Sequence, residues 1–221
     1  MSVKRLVFIR PGETDWNLQG RFQGWVASPL NNYGRYQIER LANFIRNIGL
    51  TVLYSSDIRR AKETAEILAT RLGHPPIFDE RLRERSVGHW QGLTVPEIHG
   101  WYADEYDQFQ QDPDNFQIPG GESLVQVRKR AQTCLKAILK NHDKDANNTI
   151  GIVSHTITIN LMLEAIVPDV DTNHPLQFGN SSVTTVMNDG DSWRITANND
   201  TTHLEGKIAR VMPKDERGDK K

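Results

Sequence analysis

Three short apolar runs, each ending in a polar cluster, constrain this chain more than any other feature. Leu6-Val7-Phe8-Ile9 leads into Arg10-Pro11-Gly12. Thr51-Val52-Leu53-Tyr54 leads into Ser55-Ser56-Asp57 and then Arg59-Arg60. Thr149-Ile150-Gly151-Ile152-Val153 leads into Ser154-His155. Runs that are apolar without alternation read as strands covered on both faces, which is the signature of a mainly parallel sheet between helices. The intervening segments supply the helices. Gly34 to Ile48 places Ile38, Leu41 and Ile45 on one face, with Gly49 as its stop. Asp57 is positioned as an N-cap for a helix through Leu72, ended by Gly73. Glu122 to Leu139 is amphipathic and follows Pro119-Gly120-Gly121, and a further helix opens near His155. Val183–Met187 and Trp193–Ala197, joined through Asp189-Gly190-Asp191, read as a hairpin. The expectation is an α/β fold, a three-layer α/β/α sandwich around a mostly parallel sheet.

Residues 93 to 119 break the alternation. They are aromatic, acidic and amide-rich, with Pro96, Pro113 and Pro119, and read as a partly helical insertion over one end of the sheet. Residues 1–205 are expected to form one domain carrying this insertion, and 206–221 a charged, disordered tail. The aromatics Trp101, Tyr102, Tyr106, Phe109 and Phe116 either pack the insertion down or offer a partner surface, and packing is the commoner use. A net charge of -1 supplies no field to recruit nucleic acid or an acidic membrane. Met1 to Arg5 runs into the first strand without a signal-like apolar stretch, and no segment has the length of a membrane span, so the expected location is the cytosol. Cys134 is the only cysteine and reads as a packed core thiol. The histidines show no zinc spacing and Gly120-Gly121 lacks the partners of a nucleotide loop, so neither metal nor cofactor is expected.

If the three strands are neighbours, Arg10, the Arg59-Arg60 pair and His155 converge at one end of the sheet. Ligands in such folds lie beyond the carboxyl ends of the strands. Two guanidinium groups and an imidazole in one cleft suit a dianion, because the arginine fork donates two parallel hydrogen bonds to phosphate. Singly, each residue is more simply an ion-pair partner or a satisfied core histidine; it is their recurrence at three strand ends that points to a site.

These residues resemble a known family. Ile9-Arg10-Pro11-Gly12-Glu13-Thr14 resembles the Arg-His-Gly-Glu-Thr signature of the histidine phosphatase superfamily, phosphoglycerate mutase-like, with one residue changed. The resemblance continues through Trp16-Asn17, Gly20-Arg21-Phe22-Gln23-Gly24, Ser55-Ser56-Asp57-Ile58-Arg59-Arg60-Ala61, Leu82-Arg83-Glu84, Pro119-Gly120-Gly121-Glu122-Ser123, Val153-Ser154-His155, Asn180-Ser181-Ser182 and Asn199 to Leu204. It implies that Arg10 and Arg60 bind phosphate oxygens and that His155 touches the phosphoryl group. It also implies that Glu84 protonates the leaving alkoxide, and that Asn17, Gln23 and Gly24 contact phosphate or substrate. The implied partner is a phosphorylated small molecule or inorganic phosphate. Two smaller departures accompany the first: Thr156 stands where glycine is common, and Gln91 where glutamate is frequent.

The resemblance also implies that the nucleophilic histidine belongs at Pro11. A pyrrolidine ring has no lone pair to attack phosphorus, so the covalent route is closed. The backbone accepts the change more readily, since proline pushes its predecessor towards the extended conformation that a strand end already has. The leading reading is a catalytically impaired homologue that binds a phosphorylated metabolite or a protein partner. The alternatives are a phosphomonoesterase or mutase working by an altered mechanism, an active protein in which Pro11 is an introduced change, and an interaction protein with a vestigial pocket.

Overall fold

The computed structural model describes residues 4–143, 148–168, 170 and 174–205. The tail expected over 206–221 and the first three residues lie outside the described residues. The sheet has six strands in the order β3-β2-β4-β1-β5-β6. These are β1 (Arg5–Ile9), β2 (Val52–Ser55), β3 (Ile77–Phe78), β4 (Thr149–Val153), β5 (Val183–Asn188) and β6 (Trp193–Asp200). β1 pairs parallel with β4, β4 with β2, and β2 with β3. The expected hairpin forms as β5 and β6, and its first strand joins the sheet antiparallel to β1.

Helices cover both faces. α2 (Asn32–Ile45) and α3 (Arg59–Leu72) lie on one face, and α6 (Leu124–Asn141) and α7 (Thr156–Glu164) on the other; α1 (Asp15–Leu18), α4 (Val95–Trp101) and α5 (Ala103–Gln111) belong to the connections. The two-residue period of a strand divides β1 between two cores. Leu6 and Phe8 meet Val127, Leu135 and Ile138 of α6. Val7 and Ile9 meet Leu41 and Ile45 of α2 with Ala61, Ala65 and Leu68 of α3. Cys134 sits buried in the first of these cores, and burial pushes its thiol up to about 12, which makes it the inert packed thiol expected.

A third cluster holds the insertion. Val87, Trp90, Ile98 and Ile118 form its buried centre, ringed by Tyr102, Tyr106, Phe109 and Phe116. The insertion aromatics therefore pack, except Trp101, which is 68% exposed.

Three local expectations are corrected. Asp57 does not cap α3: Ile58 is the cap residue and makes no side-chain cap bond, while the Asp57 carboxylate accepts from Arg83 Nε and Nη2 at 2.7 and 2.5 Å. A bidentate arginine is the stronger partner for a carboxylate than a single backbone N–H. α2 begins before Gly34 because Asn31 Oδ1 accepts from Gly34 N at 2.7 Å. α6 begins at Leu124, behind a capping box between Ser123 and Gln126. Among the described residues no helix is long and apolar enough to cross a membrane.

Candidate functional site

β2, β4 and β1 are consecutive neighbours and run parallel, so the polar clusters that follow them meet at one edge of the sheet. A cavity of about 230 Å³ opens there, lined by Arg10, Asn17, Gln23, Gly24, Arg60, Glu84 and His155, with Pro11 among them. All the residues expected at the site are thus brought to one cleft.

The backbone around Pro11 is held from several sides. Arg10 N donates to Ser182 O at 3.1 Å and Ser181 N donates to Pro11 O at 3.0 Å. Gly12 N donates to Thr64 Oγ1 at 3.3 Å. The loop also lies hard against α2: a side chain on Gly34 would bring its Cβ within 2.1 Å of Glu13 O. Ser181 takes a left-handed backbone, φ 61°, and its Oγ lies 3.0 Å from His203 Nε2. His203 is itself buried, and burial lowers its imidazole to about 4.

The cations are fixed by carbonyls. Arg10 Nη1 donates to Phe178 O. Arg60 is 5% exposed and donates through Nη2 to Gly24 O at 3.0 Å and through Nη1 to Val26 O at 3.3 Å. Burial lowers Arg60 to about 10, and lowers Arg10 from its ordinary value, each offset partly by the Glu84 carboxylate. Both stay charged at neutral pH. Arg59, next in sequence, is exposed and paired with Glu63 at 2.9 Å, outside the cleft.

His155 is the N-cap residue of α7, and its Nε2 lies 2.9 Å from Ser56 Oγ. Burial, then the charges of Arg60, Arg10 and Arg130, hold it well below the usual imidazole range, so the ring is neutral at physiological pH. Glu84 reaches the start of the same helix: its carboxylate accepts from Arg85 N at 3.0 Å and Ile157 N at 3.3 Å. Arg130 clamps the Glu84 segment, donating to the carbonyls of Arg81, Arg83 and Glu84 at 3.0, 2.6 and 2.8 Å while paired with Glu122. Asn17 and Gln23 bond within their own loop: Asn17 Oδ1 accepts from Thr14 N, and Gln23 Oε1 from Ser28 Oγ. Gln91 Oε1 accepts from Trp25 N at 3.0 Å, which gives this departure from the family pattern a structural partner.

The family model of the histidine phosphatase superfamily, branch 1, matches residues 6–201. The chain belongs to this superfamily. Phosphoglycerate mutase-like protein 4 of Arabidopsis thaliana is 35% identical to it, over 93% of this chain and 89% of the relative. A mycobacterial glucosyl-3-phosphoglycerate phosphatase solved with VO3 superimposes with a TM-score of 0.78 at 32% identity, covering 89% of this chain and 98% of the other. A histidine-to-alanine mutant of the Entamoeba histolytica phosphoserine phosphatase, solved with phosphoserine, gives a TM-score of 0.78 at 28% identity, covering 91% and 99%. The superfamily fold agrees with the six-stranded sheet and its covering helices.

Sequence reasoning did not assign a site role to Arg21, Arg85, Trp90, Phe109, Ile118 or Asn180, all of which line the cleft. Arg21 and Asn180 lie inside motifs that were legible as such. Arg85 follows Glu84 directly, and only its burial, with Nε and Nη2 donating to Glu122 O and Phe116 O at 2.7 and 2.9 Å, turns it towards the cleft.

Proposed function

We propose that this superfamily member is a catalytically impaired homologue that holds a phosphorylated small molecule, or inorganic phosphate, in the cleft between β1, β2 and β4. One observation carries the reading: Pro11, whose ring offers no nucleophilic atom, lines the cleft together with Arg10, Arg60 and His155. The guanidiniums are oriented before any ligand arrives, which reduces the entropy lost on binding. Charge-assisted bonds from Arg10 and Arg60 take the phosphoryl oxygens, and neutral His155 adds a hydrogen bond without competing for the negative charge. Asn17, Gln23 and Gly24 line the same cleft, and in this reading they contact the phosphate or its ester. Glu84, at the start of α7, is placed to hold the proton that a leaving oxygen would need. The amoebal relative's complex with phosphoserine, formed by a mutant with a histidine replaced by alanine, supports ligand binding without that side chain.

Pro11 takes the place that the family resemblance gives to the attacking histidine. Loss of a covalent nucleophile costs about six orders of magnitude in turnover. What remains is the electrostatic pocket, and in this reading binding is its product. The domain that presents it spans residues 1–205, and the soluble cell interior is where such a ligand would be met.

The test is hydrolysis of an aryl phosphate before and after Pro11→His, alongside thermal stability with inorganic phosphate. The unaltered chain is expected to hydrolyse near the buffer rate, Pro11→His to gain about a thousand-fold or more, and phosphate to raise the melting temperature of both by mass action. Equal, rapid turnover by the two proteins would overturn the impaired-enzyme reading.

A further inference from the structure

A second cavity, of about 210 Å³, adjoins the first and shares Arg85, Phe109, Thr156 and Ile157 with it. Its other apolar walls come from Leu124 at the start of α6, Leu161 of α7, and Val170 and Leu176 beyond. Its charged groups and Asn160 already have partners. Arg128 pairs with Asp114 at 3.4 Å and Glu164 at 3.2 Å. Asn160 donates to the carbonyls of Thr156 and Leu176, each at 3.0 Å, and accepts from Leu176 N at 2.9 Å. What the cavity offers an entering group is therefore mainly hydrocarbon surface.

The first cavity is polarised in the same direction. Its Arg10 and Arg60 end is cationic, whereas Phe22, Val87, Trp90, Phe109, Ile118 and Ile157 supply apolar wall. The remaining arginines are poor receptors for a second anionic group on the ligand. Arg21 is paired with Glu97 at 3.0 Å and donates to Gly92 O. Arg85 commits its Nε–Nη2 edge to two carbonyls. A carboxylate on the ligand, as in phosphoserine or a phosphoglycerate, would have to share these arginines with the acceptors they already hold, and burying it poorly paired is costly.

We propose that the two cavities are one site for the phosphate monoester of an apolar alcohol. The phosphate sits at Arg10, Arg60 and His155, and an alkyl chain crosses Phe109 and Ile157 into the second cavity. This assignment rests on the phosphate-binding reading above and adds the class of ester.

Titration calorimetry on the unaltered chain tests it with inorganic phosphate, phosphoserine, and butyl, hexyl and octyl phosphate below their micelle concentrations. Each buried methylene is worth roughly a four-fold gain. Octyl phosphate is expected to bind at least ten-fold tighter than butyl phosphate, and hexyl phosphate tighter than phosphoserine. Leu124→Glu puts a charge on the wall of the second cavity at a helix start, where an acidic residue is well tolerated. It is expected to flatten the chain-length series, with circular dichroism and inorganic phosphate binding reporting that the protein is folded. A flat series in the unaltered chain, phosphoserine as the tightest ligand, or a chain-length gain that Leu124→Glu leaves intact overturns the ester class, provided inorganic phosphate binds. Failure of inorganic phosphate and every ester alike overturns the phosphate-binding reading itself, and this assignment with it.

Discussion

Arg59 and Arg60 are adjacent in sequence and opposite in fate. Arg60 is buried against the carbonyls of Gly24 and Val26, while Arg59 stands exposed beside Glu63. A hydrogen bond to a charged group contributes about 1.5–3 kcal/mol. Arg60→Ala is therefore expected to weaken inorganic phosphate binding by roughly ten- to a hundred-fold, and Arg59→Ala to leave it unchanged, both read by titration calorimetry. The histidines carry a prediction of their own. His155 and His203 are both depressed below the imidazole value, His203 to about 4. In the unfolded chain each takes up its proton near the ordinary 6.5. Between these values the unfolded state binds more protons, so stability falls as the pH drops from about 6.5 towards 4. Urea midpoints measured from pH 7.5 to 4.5 should decline through this window, and His203→Gln should shallow the decline. A pH-independent midpoint would contradict the buried neutral imidazoles.

At the scale of elements, α6 holds the site from behind. It is capped by Ser123, and Arg130, projecting from it, grips the carbonyls of Arg81, Arg83 and Glu84. The same guanidinium meets both oxygens of Glu122 at 2.8 Å. Removing one member of a largely buried pair leaves the other charge uncompensated, at a cost of about 3–5 kcal/mol. Both side chains here keep some exposure, so the lower end applies: Arg130→Met should lower unfolding free energy by about 3 kcal/mol in urea titrations. It should also restore less aryl phosphatase activity when combined with Pro11→His than Pro11→His gains alone, because Glu84 loses its anchor. An additive stability loss with full activity would make Arg130 a structural strut only. β1, β2 and β4 were readable because burial on both faces writes an unbroken apolar run into the chain. β3, with two exposed residues, and α1, with four residues and none buried, leave no such pattern.

Across the whole molecule, hydrophobic burial is divided. Two clusters lie on opposite faces of the sheet, and a third, around Trp90, ties the insertion beside the cleft. Trp90 is 1% exposed and is in ring contact with Phe22, Tyr106, Phe109 and Phe116. Trp90→Ala is expected to cost about 3–5 kcal/mol and to act regionally. Hydrogen exchange should accelerate over α4 and α5 while the amides of β1, β2 and β4 stay protected, as separate clusters open separately. Uniform acceleration would show the insertion and the sheet to be one cooperative unit. By itself the sequence determined the alternation of strands and helices, the layers, and the polar clusters at Arg10, Arg59-Arg60 and His155, because burial patterns and strand-end motifs are local along the chain; Glu84 was legible only through the family resemblance. Local pattern left Arg59 and Arg60 equivalent until the resemblance singled out Arg60, and the tertiary structure supplied the reason, burying Arg60 and leaving Arg59 exposed; it alone decided that Asp57 serves Arg83. It alone brought Arg85, Phe109 and Ile157 between two adjoining cavities. Those outcomes depend on strand order and helix packing, which juxtapose residues far apart in sequence and leave no periodic trace in it.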